Sequence, residues 1–348
     1  MKSQRDNPRV AVDLRALGKL LQGLGVDVHG ELTGSRVGHG QSNLTYLVTD
    51  DAGARWIVRR PPRGELLASA HDVQREARIL TALATTDVPV PRVFCSMTDD
   101  AVAEVPIVVM EHIEGMVVDR TEVAAALPLS VRDELSRGLP RTLAAVHAVD
   151  LDEHRLVGLA SHAPYAARQL RRWSRQWERS KTRELPELDA LTALLQRSIP
   201  PQSRMTLVHG DFHIRNLICA PESGRVRAVL DWELSTLGDP LADLGTMLAY
   251  WTESADTETG LFDASNLPGF ATRSELVDEY CAVAEVDSDH IGYWHALGLW
   301  KIAIIAEGVF RRAIDEPSNA AQGGPGDPAV LPFIIERAWQ VVRTAGLG

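Results

Sequence analysis

Short β-prone runs crowd the first third of this 348-residue chain, and helical patterns fill most of the remainder. Residues 31–37, 44–48, 56–60, 93–97 and 107–111 read as strands separated by Gly, Asp and Pro. One helix interrupts them, over residues 71–84, with Val73, Ala77, Leu80 and Ala84 on a single face. The run Val88-Pro89-Val90-Pro91 stops it and returns the chain to extended structure. After Glu114-Gly115 the pattern changes to helices over 135–149, 164–179, 188–198, 274–286, 293–314 and 331–344. Strand-like sequence returns mainly between 205 and 231, and the Gly- and Pro-rich segment 320–328 reads as a loop. The expectation is an α+β chain. A small antiparallel sheet carrying one helix occupies residues 1–113, and a larger, mainly helical lobe occupies 114–348.

A net charge of −11 argues against a nucleic-acid partner, which would need a basic surface to displace counterions. No run of about eighteen apolar residues is present, so no membrane span is expected. Residues 1–13 are polar, without the apolar core of a secretion signal. Cys95, Cys219 and Cys281 lie far apart, without metal-ligand spacing, and read as reduced thiols. A cytoplasmic protein is the expectation.

The chemistry concentrates between residues 207 and 245. His209-Gly210-Asp211 is followed by Asn216, then by an apolar run over 226–230 that ends at Asp231. Phosphoryl transfer needs a carboxylate near the attacking hydroxyl and oxygen ligands for magnesium at the phosphates. An Asp and an Asn five residues apart on one loop can divide those tasks, and a second Asp can complete the metal set. His-Gly-Asp-x-x-x-x-Asn followed by Asp231-Trp232-Glu233 resembles the aminoglycoside phosphotransferase-like small-molecule kinases, whose fold is that of the protein kinases. The resemblance implies a two-lobed protein-kinase-like fold, with ATP or another nucleoside triphosphate and Mg²⁺ as cofactors. A small molecule bearing a hydroxyl is the implied acceptor. Asp211 is then the catalytic base, and Asn216 and Asp231 are the magnesium ligands. Asp243, in the run Gly238-Asp239-Pro240-Leu241-Ala242-Asp243, is expected to brace the catalytic loop.

The first lobe should then grip the nucleotide. Trp56-Ile57-Val58-Arg59-Arg60 occupies the place of the kinase strand with a phosphate-binding lysine; here Arg59 takes that position. The Arg-Arg-Pro-Pro ending resembles the kinase domains related to acyl-CoA dehydrogenase fusion proteins. Glu76 lies within the apolar stripe of the 71–84 helix, where a carboxylate is expensive unless paired, and Arg59 is its natural partner. Gly38, Gly40, Ser42 and Asn43 lie between two expected strands and suit a loop closing over phosphates. Glu111 and Ile113 mark the hinge, where the resemblance places an adenine. Glu233 either reaches the metal through water or bonds the backbone.

Several features read as structure. His209 orients its loop, most tryptophans pack between helices, and the apolar face of residues 301–312 is core. The acidic segment 253–258 reads as a solvated loop. Arginines over 168–183 favour an anionic acceptor such as a hydroxyacyl-CoA. Two other readings stand beside the kinase: a nucleotide-binding pseudokinase or scaffold, and a metal-dependent hydrolase built on His209, Asp211 and His213.

Overall fold

The computed structural model describes residues 11–37, 43–61, 72–256, 263–315 and 329–348, and the chain divides into two compact units. The first comprises Met1–Thr86, Val90–Glu114 and Asp231–Glu233; the second comprises Asp87–Pro89, Gly115–Leu230 and Leu234–Gly348. A division at residue 113 in chain order has no place for the return of Asp231–Glu233 to the first unit.

The first unit is a five-stranded antiparallel sheet of β1 (Thr33–Val37), β2 (Leu44–Thr49), β3 (Arg55–Arg60), β4 (Val93–Asp99) and β5 (Ala103–Glu111). Its strand order is β1-β2-β3-β5-β4. Period-two alternation sorts the side chains of β3: Trp56, Val58 and Arg60 are buried, while Arg55, Ile57 and Arg59 take the other face. Trp56 and Val58 join Tyr46, Val48, Ile107 and Val109 in one apolar cluster. Helix α1 (Leu14–Gly23) covers that cluster with Leu17 and Leu21. The sequence reading had one helix in this lobe, and α1 is a second. Its signal is short, an Asp13 N-cap that accepts the Ala16 N–H at 2.9 Å, ahead of Leu14, Leu17, Leu20 and Leu21. Helix α2 (Val73–Leu83) packs on β4 and β5 and buries Glu76 together with Val73, Ala77, Ile79, Leu80 and Leu83.

The second unit contains α3 (Thr121–Ala125), α4 (Leu129–His147), α5 (Tyr165–Ser180), α6 (Pro186–Arg197), α7 (Leu241–Tyr250), α8 (Arg273–Ala284), α9 (Ile291–Asp315) and α10 (Val330–Thr344). Two small hairpin-like pairs lie among them. β6 (Thr206–Val208) pairs with β9 (Thr236–Gly238), and β7 (Leu217–Cys219) pairs with β8 (Val226–Val229). Trp173, Trp177, Trp251, Trp294 and Trp300 are buried, as packing residues should be. The segment expected to be a solvated loop is tied down instead, as far as the described residues reach. Arg273 pairs with Glu253 at 2.8 Å and with Asp256 at 2.7 Å, and the buried Arg337 donates to the Trp251 carbonyl at 2.7 Å. Residues 257–258 lie outside the described part. No helix among the described residues is long and apolar enough to cross a membrane.

Helices α7 and α9 approach closely because glycines face each other where they meet. A Cβ on Gly245 would come within 2.3 Å of the Trp294 carbonyl carbon, and one on Gly298 within 2.8 Å of the Gly245 oxygen. Both obstacles are backbone, which cannot swing aside. Gly245→Ala should therefore destabilise by about 1–3 kcal/mol, seen as a lowered thermal midpoint. Gly23→Ala, with nothing within 4 Å of the added carbon, should leave the midpoint unchanged or slightly raised. Equal midpoints for the two variants would show that α7 and α9 can separate without penalty.

Candidate active site

In the second unit, the turn after β6 is held by a carboxylate with no exposed surface. Asp243, in the first turn of α7, accepts the His209 N–H at 2.6 Å and the Gly210 N–H at 2.8 Å. His147 Nε2 stands 3.3 Å from the same carboxylate, and its Nδ1 is 2.7 Å from the Tyr280 hydroxyl. Burial works to raise the Asp243 pKa. His147, His209 and the Gly210 amide outweigh it, so the group stays ionised. Gly210 needs to be glycine: its φ is +85°, and a Cβ would sit 2.6 Å from the Leu234 oxygen.

The loop that leaves this turn carries Asp211 and Asn216. The Asp211 N–H donates to His209 Nδ1 at 3.2 Å, so His209 keeps its proton on Nε2 and donates it to the Leu230 carbonyl at 2.9 Å. With both ring nitrogens committed, His209 cannot ligate a metal, and the His209/Asp211/His213 hydrolase cluster fails on donor availability. Asn216 Nδ2 donates to the Asp211 carbonyl at 2.9 Å and to its Oδ2 at 3.3 Å, and His213 Nε2 lies 3.4 Å from Oδ2. The Tyr250 ring lies 4.2 Å from that of His213, close to Asp211. Burial and Asp211 both push the Tyr250 pKa up, so the phenol remains a donor. For Asp211, burial again acts to raise the pKa, but His213, Lys301 and His209 win, and the carboxyl sits below its ordinary range.

In the first unit, Arg59 and Glu76 meet as the apolar stripe required. Arg59 Nη1 donates to Glu76 Oε1 at 2.6 Å, and Nη2 donates to Asp231 Oδ1 at 3.4 Å. Burial depresses the Arg59 pKa, but Glu76, Asp231 and Glu233 together raise it above the usual value, so the guanidinium is permanently charged. Arg60, on the other face of β3, donates to the Ala11 carbonyl at 2.5 Å and so anchors the start of the described chain. Strand alternation thus separates the two arginines. Asp231 has φ +65°, a left-handed conformation that an aspartate tolerates better than most residues. Asn43 is buried, and its Nδ2 donates to Glu233 Oε2 at 3.4 Å. Glu111 ends β5, and its Oε2 accepts the Arg92 N–H at 3.2 Å; Ile113 follows two residues later. Gly38, Gly40 and Ser42 lie outside the described residues.

Taken separately, Asn216 and Asp231 each present an oxygen of the kind magnesium takes. Asn216 has its Nδ2 committed to Asp211, leaving Oδ1 as the atom for a cation. Asp231 offers a partly exposed carboxylate. Mg²⁺ takes few protein oxygens and completes its octahedron with phosphate and water. Arg59 Nε is buried without a partner, a donor to spare beside the pair with Glu76. Sequence reasoning missed His147, Tyr250, Tyr280 and Lys301, which arrive from distant helices. Lys301 alone carried a signal, a single charge inside the apolar run Leu299-Trp300-Lys301-Ile302-Ala303-Ile304.

Removing either Arg59 or Glu76 strands a charge at a position where the side chains are 13% and 3% exposed. Arg59→Met and Glu76→Gln should each destabilise by about 3–5 kcal/mol, and the double variant by clearly less than the sum. A double-mutant cycle read by thermal or denaturant melting checks this. Strict additivity would mean the two side chains do not form a coupled pair.

Residues 33–276 match the phosphotransferase enzyme family. Among curated proteins, acyl-CoA dehydrogenase family member 10 of Mus musculus is 35% identical over 343 residues, covering 97% of this chain and 32% of its own. The chain spans 32–40% of the length of the curated relatives it matches. Among solved structures, one from Ralstonia eutropha assigned to the aminoglycoside phosphotransferases superposes with a TM-score of 0.80 at 27% identity, covering 96% of this chain and 99% of its own. A thermostable mutant of aminoglycoside phosphotransferase APH(4)-Ia, in ternary complex with AMP-PNP and hygromycin B, shares the fold with a TM-score of 0.60 at 14% identity, covering 96% of this chain and 99% of its own. With its five-stranded antiparallel sheet and its Asp211–Asn216 loop, this chain belongs to the phosphotransferase enzyme family and has the kinase-like fold of the aminoglycoside phosphotransferases.

Proposed function

We propose that this chain transfers the γ-phosphoryl group of ATP, or of another nucleoside triphosphate, to a hydroxyl of a small molecule in an Mg²⁺-dependent reaction. The observation that carries the reading is Asp211: an ionised carboxylate on a turn whose backbone Asp243 holds, with Asn216 donating to it. A positioned carboxylate orients the acceptor hydroxyl and receives its proton as the bond to phosphorus forms. Arg59, fixed by Glu76, holds the phosphates through its remaining donors. Asn216 Oδ1 and the Asp231 carboxylate are the proposed magnesium ligands, and Glu111 and Ile113 lie at the proposed adenine hinge. Magnesium, when bound, neutralises charge on the phosphates. The AMP-PNP bound to APH(4)-Ia supports nucleotide use by this fold.

For the acceptor we propose an anionic hydroxyacyl-CoA. Helix α5 exposes Arg171, Arg172, Arg175 and Arg179 on a chain of net charge −11, a local reversal of sign suited to phosphates. The curated relatives named as acyl-CoA dehydrogenase family members point to the same substrate class. An ATP-consumption screen across hydroxyacyl-CoAs, aminoglycosides, amino alcohols and sugars tests it. Turnover with an aminoglycoside alone would overturn the acceptor assignment.

Two variants test the machinery. Asp211→Asn keeps size and hydrogen bonding but removes the proton acceptor, so turnover should fall roughly 10²–10⁴-fold while ATP affinity changes little. Near-normal turnover would remove Asp211 from the catalytic role. Tight Mg-ATP binding with no turnover of any acceptor by the unaltered chain would favour a scaffold. Asp231→Ala should weaken Mg-nucleotide binding in calorimetry, and wild-type affinity in that variant would contradict the metal assignment.

A further inference from the structure

Lys301 is the most costly side chain in the second unit that the reading above does not use. It is 7% exposed, in the middle of α9, between Trp300 and Ile302, which are 0% and 4% exposed. A lysine there for packing alone would extend its stem toward water. This one instead donates from Nζ to the carbonyl of Gly210 and lies 5.7 Å from the centre of the Trp173 ring. The helix can deliver it because Gly298, one turn earlier, packs against Gly245 of α7. The close approach that brings α9 to α7 therefore also brings Lys301 to the turn that α7 holds through Asp243.

Both polar backbone atoms of Gly210 are consequently gripped by side chains of opposite charge. Its N–H goes to the Asp243 carboxylate, and its C=O takes the Lys301 ammonium. Gly210 is the residue directly before Asp211, and its φ of +85° is one from which the backbone could relax if either grip were lost. We infer that Lys301 is a positioning residue for phosphoryl transfer, fixing the Gly210–Asp211 peptide so that Asp211 is presented in one orientation. Burial lowers the Lys301 pKa, and the nearby Asp211 and Asp243 carboxylates offset part of that effect. Lys301 touches no reacting atom in this role; it acts through Asp211. The kinetic part of the inference rests on the phosphotransfer reading, whereas the structural part does not.

Lys301→Met keeps the apolar stem and removes the ammonium, leaving the Gly210 carbonyl without that donor. Two measurements on the full chain decide the matter. The first is steady-state hydrolysis of Mg-ATP with water as acceptor. K301M should lower kcat about 10–100-fold, the scale of a misplaced catalytic group, with KM for Mg-ATP within about threefold of wild type. The second is amide hydrogen exchange over residues 209–211, where K301M should exchange about tenfold faster or more. Two further variants separate positioning from bulk stability. Glu307→Gln alters a buried carboxylate on the same helix that holds Thr182, so it should lower the melting temperature without changing kcat or exchange at 209–211. Lys301→Arg retains a charged donor and should recover much of both readouts. If K301M does not fold, K301Q takes its place, with losses in the same direction. Wild-type kcat and wild-type exchange in K301M would overturn the inference, as would K301R behaving like K301M. If the wild-type chain hydrolyses no ATP, the phosphotransfer reading suffers, and the exchange measurement alone still decides whether Lys301 fixes the turn.

Discussion

The Asp243 carboxylate has no contact with solvent, and that single fact recruits much of the second unit. A buried ionised group is tolerated only when its oxygens are saturated with donors. Here the donors are the His209 and Gly210 amides of the turn after β6 and the imidazole of His147 on α4, itself oriented by Tyr280 on α8. The turn cannot shift without exposing a charge to an apolar interior. Asp211 inherits that rigidity as the next residue, and the α7–α9 glycine contact lets the helix carrying Lys301 come close enough to add to it. The turn that carries Asp211 is therefore held by groups drawn from four helices, although the motif containing it is only eight residues long.

The first unit solves a similar problem with fewer parts. Glu76 faces the sheet because α2 must bury that face, and Arg59 faces Glu76 because β3 alternates. Once Arg59 takes one face, Arg60 must take the other, where it bonds the Ala11 carbonyl. Adjacent arginines in the sequence thus have unrelated tasks. Neither could exchange places with its neighbour without stranding a carboxylate on α2.

What was legible in the sequence had short-range or periodic signatures. The β-strands of the first unit, the pairing of Glu76 with Arg59, and the spacing from Asp211 to Asn216 all follow from patterns within a few turns or one strand. Helix α1 escaped although Leu14, Leu17 and Leu21 repeat at helical spacing, because the element is only ten residues long. The partners of Asp243 escaped for a different reason. His147 and Tyr280 each sit in ordinary helical sequence, and only packing reveals what they face. The acidic stretch near residue 253 was misread because composition says nothing about where Arg273 and Arg337 lie. Burial turned an apparently solvated segment into an ion-paired one.

The charge state of Asp211 bears on how such a site would work. A general base is most effective with a pKa near the operating pH, yet the surroundings of Asp211 hold its pKa down. His213 and Lys301 foremost hold its proton affinity down. For phosphoryl transfer that is no handicap, since a loose transition state leaves the attacking hydroxyl with most of its proton until late in the reaction. What is needed early is a fixed negative oxygen to hold the hydroxyl in line, and in the proposed reaction an ionised Asp211 on its held turn would supply it. The hydroxyl becomes acidic only as its oxygen bonds to phosphorus, at which point even a weak base suffices. In the proposed reaction, the same surroundings that lower the pKa of Asp211 would favour orientation over basicity, and rigidity of the Gly210–Asp211 peptide would matter more to the rate than the proton affinity of the carboxylate.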